Sequence, residues 1–148
     1  MAVAPPTRPF DPDRVSLERT LAAPFLQFDL ADEIGALRRE SAFVRNGHNA
    51  RTLAKYPDMR IVLEVAQRGT RMATHEPGER ISVHVLRGRV RLHVGDGDSA
   101  REVRAGQLVA MDRSTAHDIV AADDCAFLLY VSMNGRGRTT GQGREAGE

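Results

Sequence analysis

With 148 residues, 41% of them apolar, and a net charge of +1, the chain can bury one core. It carries no charge imbalance that would recruit nucleic acid or an acidic membrane surface. Its lone cysteine, Cys125, excludes an internal disulfide, no apolar run approaches the length of a membrane-spanning helix, and the first residues lack the apolar stretch of a signal peptide, so a cytoplasmic protein is expected.

Residues 1–14 hold Pro5, Pro6, Pro9 and Pro12 and are expected to form a disordered arm. The segment 15–49 follows as a helical unit packed on the rest. In it Leu30, Ile34 and Leu37 fall at helical spacing, Asp29 is a candidate N-cap, and Asp32 and Glu33 occupy the first turn, which predicts a helix over about residues 30–41. His48 is expected in a loop. From there the pattern changes to short β-like runs. Met59 to Ala66 is rich in β-branched and apolar residues. Ile81 to Val85 and Val90 to Val94 both alternate with period two and flank Arg87-Gly88, which predicts a tight hairpin. Gly95 to Asp98 reads as a turn, and residues 108–111, 117–121 and 126–132 supply further strands. Residues 50–132 thus read as one antiparallel sandwich or small barrel. The tail, residues 133–148, is rich in glycine and arginine and is expected to be disordered. Of the 21 basic residues only Lys55 is a lysine, and the arginines are scattered rather than clustered.

Two spaced signatures narrow this reading. Gly69 is followed after a gap by His75, and Gly88 closes that segment; Gly106 and His117 begin and nearly end a second one. This spacing resembles the two motifs of the cupin superfamily, and Arg51 to Val94 resembles its small single-domain bacterial members of unassigned role. The resemblance implies an all-β, cupin-type antiparallel jelly-roll barrel with one N-terminal helix, and often a homodimer. It also implies a metal site, from which the chain departs. The second histidine of the first motif is Pro77, the glutamate position is Ile81, the Pro and Gly of the second motif are Asp112 and Ser114, and its closing Asn is Ala121.

His75 and His117 are therefore the leading candidates for a divalent transition metal (Fe, Mn, Ni or Zn), since imidazole suits such ions and both match family ligand positions. A catalytic site needs a third ligand. His84 is one candidate, although it alternates with Ile81 and Val83 and so belongs to the face opposite the usual ligand unless a bulge shifts the register. Glu76, in the loop after His75, is the other; Glu79 nearby reads as a solvated turn residue. In the predicted hairpin His84 falls near Arg91 and Ser82 near His93. These four, with Glu76, read either as one solvated stripe or as the lining of a polar ligand pocket.

Two functional classes follow. One is a small-molecule-binding or metal-binding cupin without catalysis, acting as a sensor, carrier or accessory. The other is a metal-dependent dioxygenase, isomerase or decarboxylase for a small organic acid or phenol, using Lewis-acid polarisation or O2 activation. A sensor domain of the kind fused to anti-sigma factors is a third, disfavoured because no zinc-binding Cys/His segment accompanies it.

Overall fold

The computed structural model describes residues 21–73, 79–94, 99–112 and 117–132, with the backbone alone at Ala73 and His117. The expected arm at 1–14 and tail at 133–148 lie outside the described residues, as do the turn at 95–98, His75, Glu76 and Ser114.

Helix α1 (Leu30–Arg39) is followed by a short α2 (Ser41–Asn46). Asp29 caps α1 as its spacing predicts, its Oδ1 accepting from the Asp32 amide at 3.0 Å. Gly47, with φ of 74°, ends α2 in the left-handed conformation that a β-carbon resists. Among the described residues nine strands follow: β1 (His48–Tyr56), β2 (Met59–Ala66), β3 (Arg71–Ala73), β4 (Arg80–Arg87), β5 (Arg89–Val94), β6 (Ala100–Arg104), β7 (Leu108–Met111), β8 (His117–Ala121) and β9 (Cys125–Ser132). They form a five-stranded sheet ordered β1-β2-β9-β4-β7 and a four-stranded sheet ordered β3-β8-β5-β6. Every described pairing is antiparallel.

The inner faces of the two sheets make the main core. Ile81, Val83, Val85, Phe127, Leu129 and Val131 meet Met72, Val90, Leu92, Val103 and Ile119 across it. A second core fills the outer face of the large sheet, where Ile34 and Leu37 of α1 pack on Leu53, Leu63, Val65 and Leu128. Helix and sheet are also tied by charge. Arg51, its side chain 16% exposed, donates to Glu33 at 2.9 Å and to Glu40, while Asn49 donates to the Leu37 carbonyl at 3.0 Å.

One expectation is overturned. Gly88 does not close a hairpin, because β4 lies in the large sheet and β5 in the small one. Alternation at Val83, Val85, Val90 and Leu92 reports which face is buried, and it is the same whether two strands pair edge to edge or stack face to face. Gly88, with φ of 74°, carries the chain across from one sheet to the other. Its carbonyl accepts from the Ala105 amide at 3.0 Å, and the Gly106 amide donates to Val85 at 2.8 Å. The Gly69 amide donates to Ala121 at 2.8 Å. The ends of the two motifs therefore meet at one end of the sandwich, and the starts of β4 and β8 mark the other, called the mouth below.

Candidate functional site

At the mouth, β4 begins with Arg80 and Ile81, β7 ends with Met111, β5 ends with Val94 and β8 begins with His117. His117 pairs with Val94, and Ile119, two residues on, is buried in the core. Arg60, Val131, Ile81 and Met111 stand side by side across the large sheet in one row. Residues directly opposite in antiparallel strands share a face, so this row faces the other sheet. Ile81, which holds the glutamate position of the family motif, is 1% exposed and surrounded by apolar side chains. No buried residue of the described part is polar or charged.

A cavity of about 260 Å³ opens between the edge strands β6 and β7. Leu92, Val94, Val109 and Met111 line it, with the exposed Arg101 and Asp112 at its rim. Such a space is largely apolar with a few polar groups at its border, which suits a small organic ligand.

The expected polar pocket is not assembled. Ser82 pairs with Ala110 and Tyr130, and His84 with Leu108 and Leu128, all in the large sheet. Arg91 pairs with Glu102 and Val120, and His93 with Ala100 and Asp118, all in the small sheet. The two pairs belong to different sheets because Gly88 is a crossing and not a hairpin turn. Ser82 and His84 sit on the outer face, opposite Ile81 and Val83, where His84 Nδ1 shares a hydrogen bond of 3.3 Å with the Tyr130 hydroxyl. The register of β4 is continuous from Arg80 to Val85 and shifts only at Leu86, so no bulge turns His84 inward.

Among the described side chains, none supplies a metal donor of the family kind. Ile81 offers no lone pair, His84 faces away, and among the described residues no three His, Cys, Asp or Glu gather closely enough to hold an ion. His75 and Glu76 lie outside the described residues.

Two residues that sequence reasoning missed lie on the inner face of the large sheet. His48 opens β1 instead of lying in a loop, and its Nε2 donates to Glu64 Oε1 at 2.7 Å. The pair sits toward the end where the motif glycines meet, since Glu64 stands opposite Ala50 and Phe127. Arg60 is the other. Its Nε is buried and has no hydrogen-bond partner.

No family model matches the chain, and no curated protein does. Solved structures do. A protein called KdgF from Halomonas sp. is 19% identical, with a TM-score of 0.54 over 62% of this chain and 84% of its own. An RmlC-like cupin from Desulfovibrio desulfuricans is 22% identical, with a TM-score of 0.51 over 58% and 82%. A conserved protein of unknown function from Streptococcus pyogenes is also 22% identical, with a TM-score of 0.53 over 60% and 75%. The fold of this chain is that of the cupins. No helix of the described residues is long and apolar enough to cross a membrane.

Proposed function

We propose that this cupin-fold chain is a binding domain for a small organic molecule, which enters at the mouth and lies in the apolar cavity between β6 and β7. The observation that carries this reading is Ile81. Where the family motif has a carboxylate ligand, this chain has a buried aliphatic side chain, in one row with Val131 and with Met111, which borders the cavity. An apolar floor favours the body of an organic ligand and penalises a bare ion, which would meet no compensating charge there. His75 and His117, the two histidines that match motif positions, are the groups we assign to polar contacts with the ligand.

The test is a methyl NMR titration of the full chain with hexanamide as the probe. We expect shifts at Leu92, Val94, Val109 and Met111, and none at Leu63 or Leu128, which pack against α1. Shifts confined to Leu63 and Leu128, or to Leu108 on the outer face, would overturn the reading. A second reading, a metal-dependent enzyme acting on a small organic acid or phenol, rests on His75, His117 and a carboxylate such as Glu76. Its one support here is that His117 opens β8 at the mouth, paired with Val94.

A further inference from the structure

Four strands form the edges of the two sheets: β1 and β7 of the large one, β3 and β6 of the small one. An edge offers a row of backbone N–H and C=O groups to any other chain, and folded proteins blunt it with charge, brevity, a bulge or a covering segment. Three of these edges are blunted in that way. Strand β1 carries Arg51 and Lys55, shifts register between Thr52 and Ala54, and has its Lys55 amide bound to the Leu21 carbonyl at 2.8 Å. Strand β3 has three residues, one of them Arg71, and β6 carries Arg101, Glu102 and Arg104.

Strand β7 has no charged residue and pairs with β4 in an unbroken register. Leu108 is 62% exposed, and Ala110 on the same face is exposed too. The Val85 amide donates to Gln107 and the Gly106 amide donates to Val85, so Val85 turns both backbone groups toward the β7 side. Antiparallel ladders alternate, so Val83 does the same toward Val109 opposite it. Leu108 and Ala110 therefore turn their N–H and C=O groups away from β4, where no described strand pairs with them.

A second β7 matches what this edge presents. Antiparallel pairing about a two-fold axis sets each Leu108 on one face with the partner subunit's Ala110, large against small, and buries no charge. It also brings Asp112, which follows β7, to the turn at the partner's Arg104, once at each end of the seam. The axis stands perpendicular to the large sheet, so both small sheets lie on one side of it. The apolar cavity that opens between β6 and β7 then faces its counterpart. A strand from an unrelated chain would cover the edge and bring none of these matches.

We propose that β7 is where two copies of this chain join, strand to strand and antiparallel, into one continuous sheet with their two cavities at the seam. The contact is short, which makes the dimer weak and dependent on concentration. It holds whether or not the cavity takes an organic ligand.

Sedimentation of the full chain, from submicromolar to submillimolar concentration, should show a monomer passing to a dimer and no larger species. Hydrogen exchange at the Leu108 and Ala110 amides should slow as the dimer forms. Leu108→Lys puts a positive charge into the seam from each copy and should leave a monomer throughout the series. Because Leu108 is largely exposed, its thermal midpoint should stay that of the dilute unmodified chain. Ala110→Lys, on the same face, should act alike and provides a second variant. Val44→Lys, at a side chain 75% exposed on α2, should leave the dimer unchanged. A chain that stays monomeric at every concentration, or a dimer that survives both β7 variants, would overturn the proposal. So would a monomer whose Leu108 and Ala110 amides are protected only by an added peptide copied from residues 107–112, which would make the edge a site for another protein.

Discussion

Cys125 illustrates how far a single side chain can be read from its surroundings. It lies in the apolar run Cys125 to Leu129, and in the fold it is 0% exposed, with burial pushing its thiol up to about 12. A thiolate that rare near neutral pH makes neither a nucleophile nor a metal ligand. The neutral thiol is favoured by folding, so the raised value adds stability that is complete below about pH 9 and is lost as pH climbs from there toward 12. The stability difference between the unmodified chain and Cys125→Ala should therefore shrink over that range, by no more than about 1.4 kcal/mol per pH unit. Denaturant titrations at several alkaline pH values measure it, and a difference that stays flat would mean that the thiol ionises as readily folded as unfolded. Other residues were less legible. His48 and Glu64 are sixteen positions apart in sequence and touch because β1 and β2 fold back at Pro57-Asp58, with His48 opposite Ala66 and Ala50 opposite Glu64. Alternation on both sides of that turn held the signal. Arg60 was hidden because β2 is covered on both faces: Ile61, Leu63 and Val65 serve the helix while Val62 and Ala66 serve the sandwich, which reads as one apolar run.

Among the elements, strands with a clear period were legible to within a residue, since Met59–Ala66, Leu108–Met111 and His117–Ala121 coincide with expectation. Helix α1 was legible for the same reason, as Ile34 and Leu37 make one buried stripe under a capping Asp29. Strand β6, Ala100–Arg104, escaped because it buries a single residue, Val103, among charged neighbours. Partners were harder to read than strands, and Gly88 is the instructive case. A β-carbon there would collide with the Asp124 carbonyl oxygen and lie 3.1 Å from Cys125 Cα, besides sitting at a φ that side chains resist. Gly106 has φ of 90° but open space around it. Gly106→Ala should cost about 1 kcal/mol, for backbone conformation alone. Gly88→Ala should cost about 1–3 kcal/mol more, because the strand crossing and the turn before β9 must separate. Urea denaturation of the two variants makes the comparison. Equal losses would mean that the close approach at Asp124 does not constrain the corner.

At the scale of the molecule, fold and chemistry part company. The motif glycines survive because they shape the corners: Gly69 meets Ala121, and Gly88 meets the turn at Gly106, all at the end away from the mouth. The ligand positions of the motifs carry no such architectural duty, so Pro77 and Ile81 can stand where the family motif has donors and the barrel still forms. Spacing in the sequence therefore exposed the architecture, whereas the lining of the mouth depended on strand partners that alternation does not encode. The central claim, an organic-ligand mouth in place of a family-type metal centre, is tested most directly by metal analysis of the full chain purified without added metal. The account predicts far less than one equivalent of Fe, Mn, Ni or Zn per chain, unchanged by His75→Ala or His117→Ala. One equivalent of a single metal, lost in both variants, would contradict it.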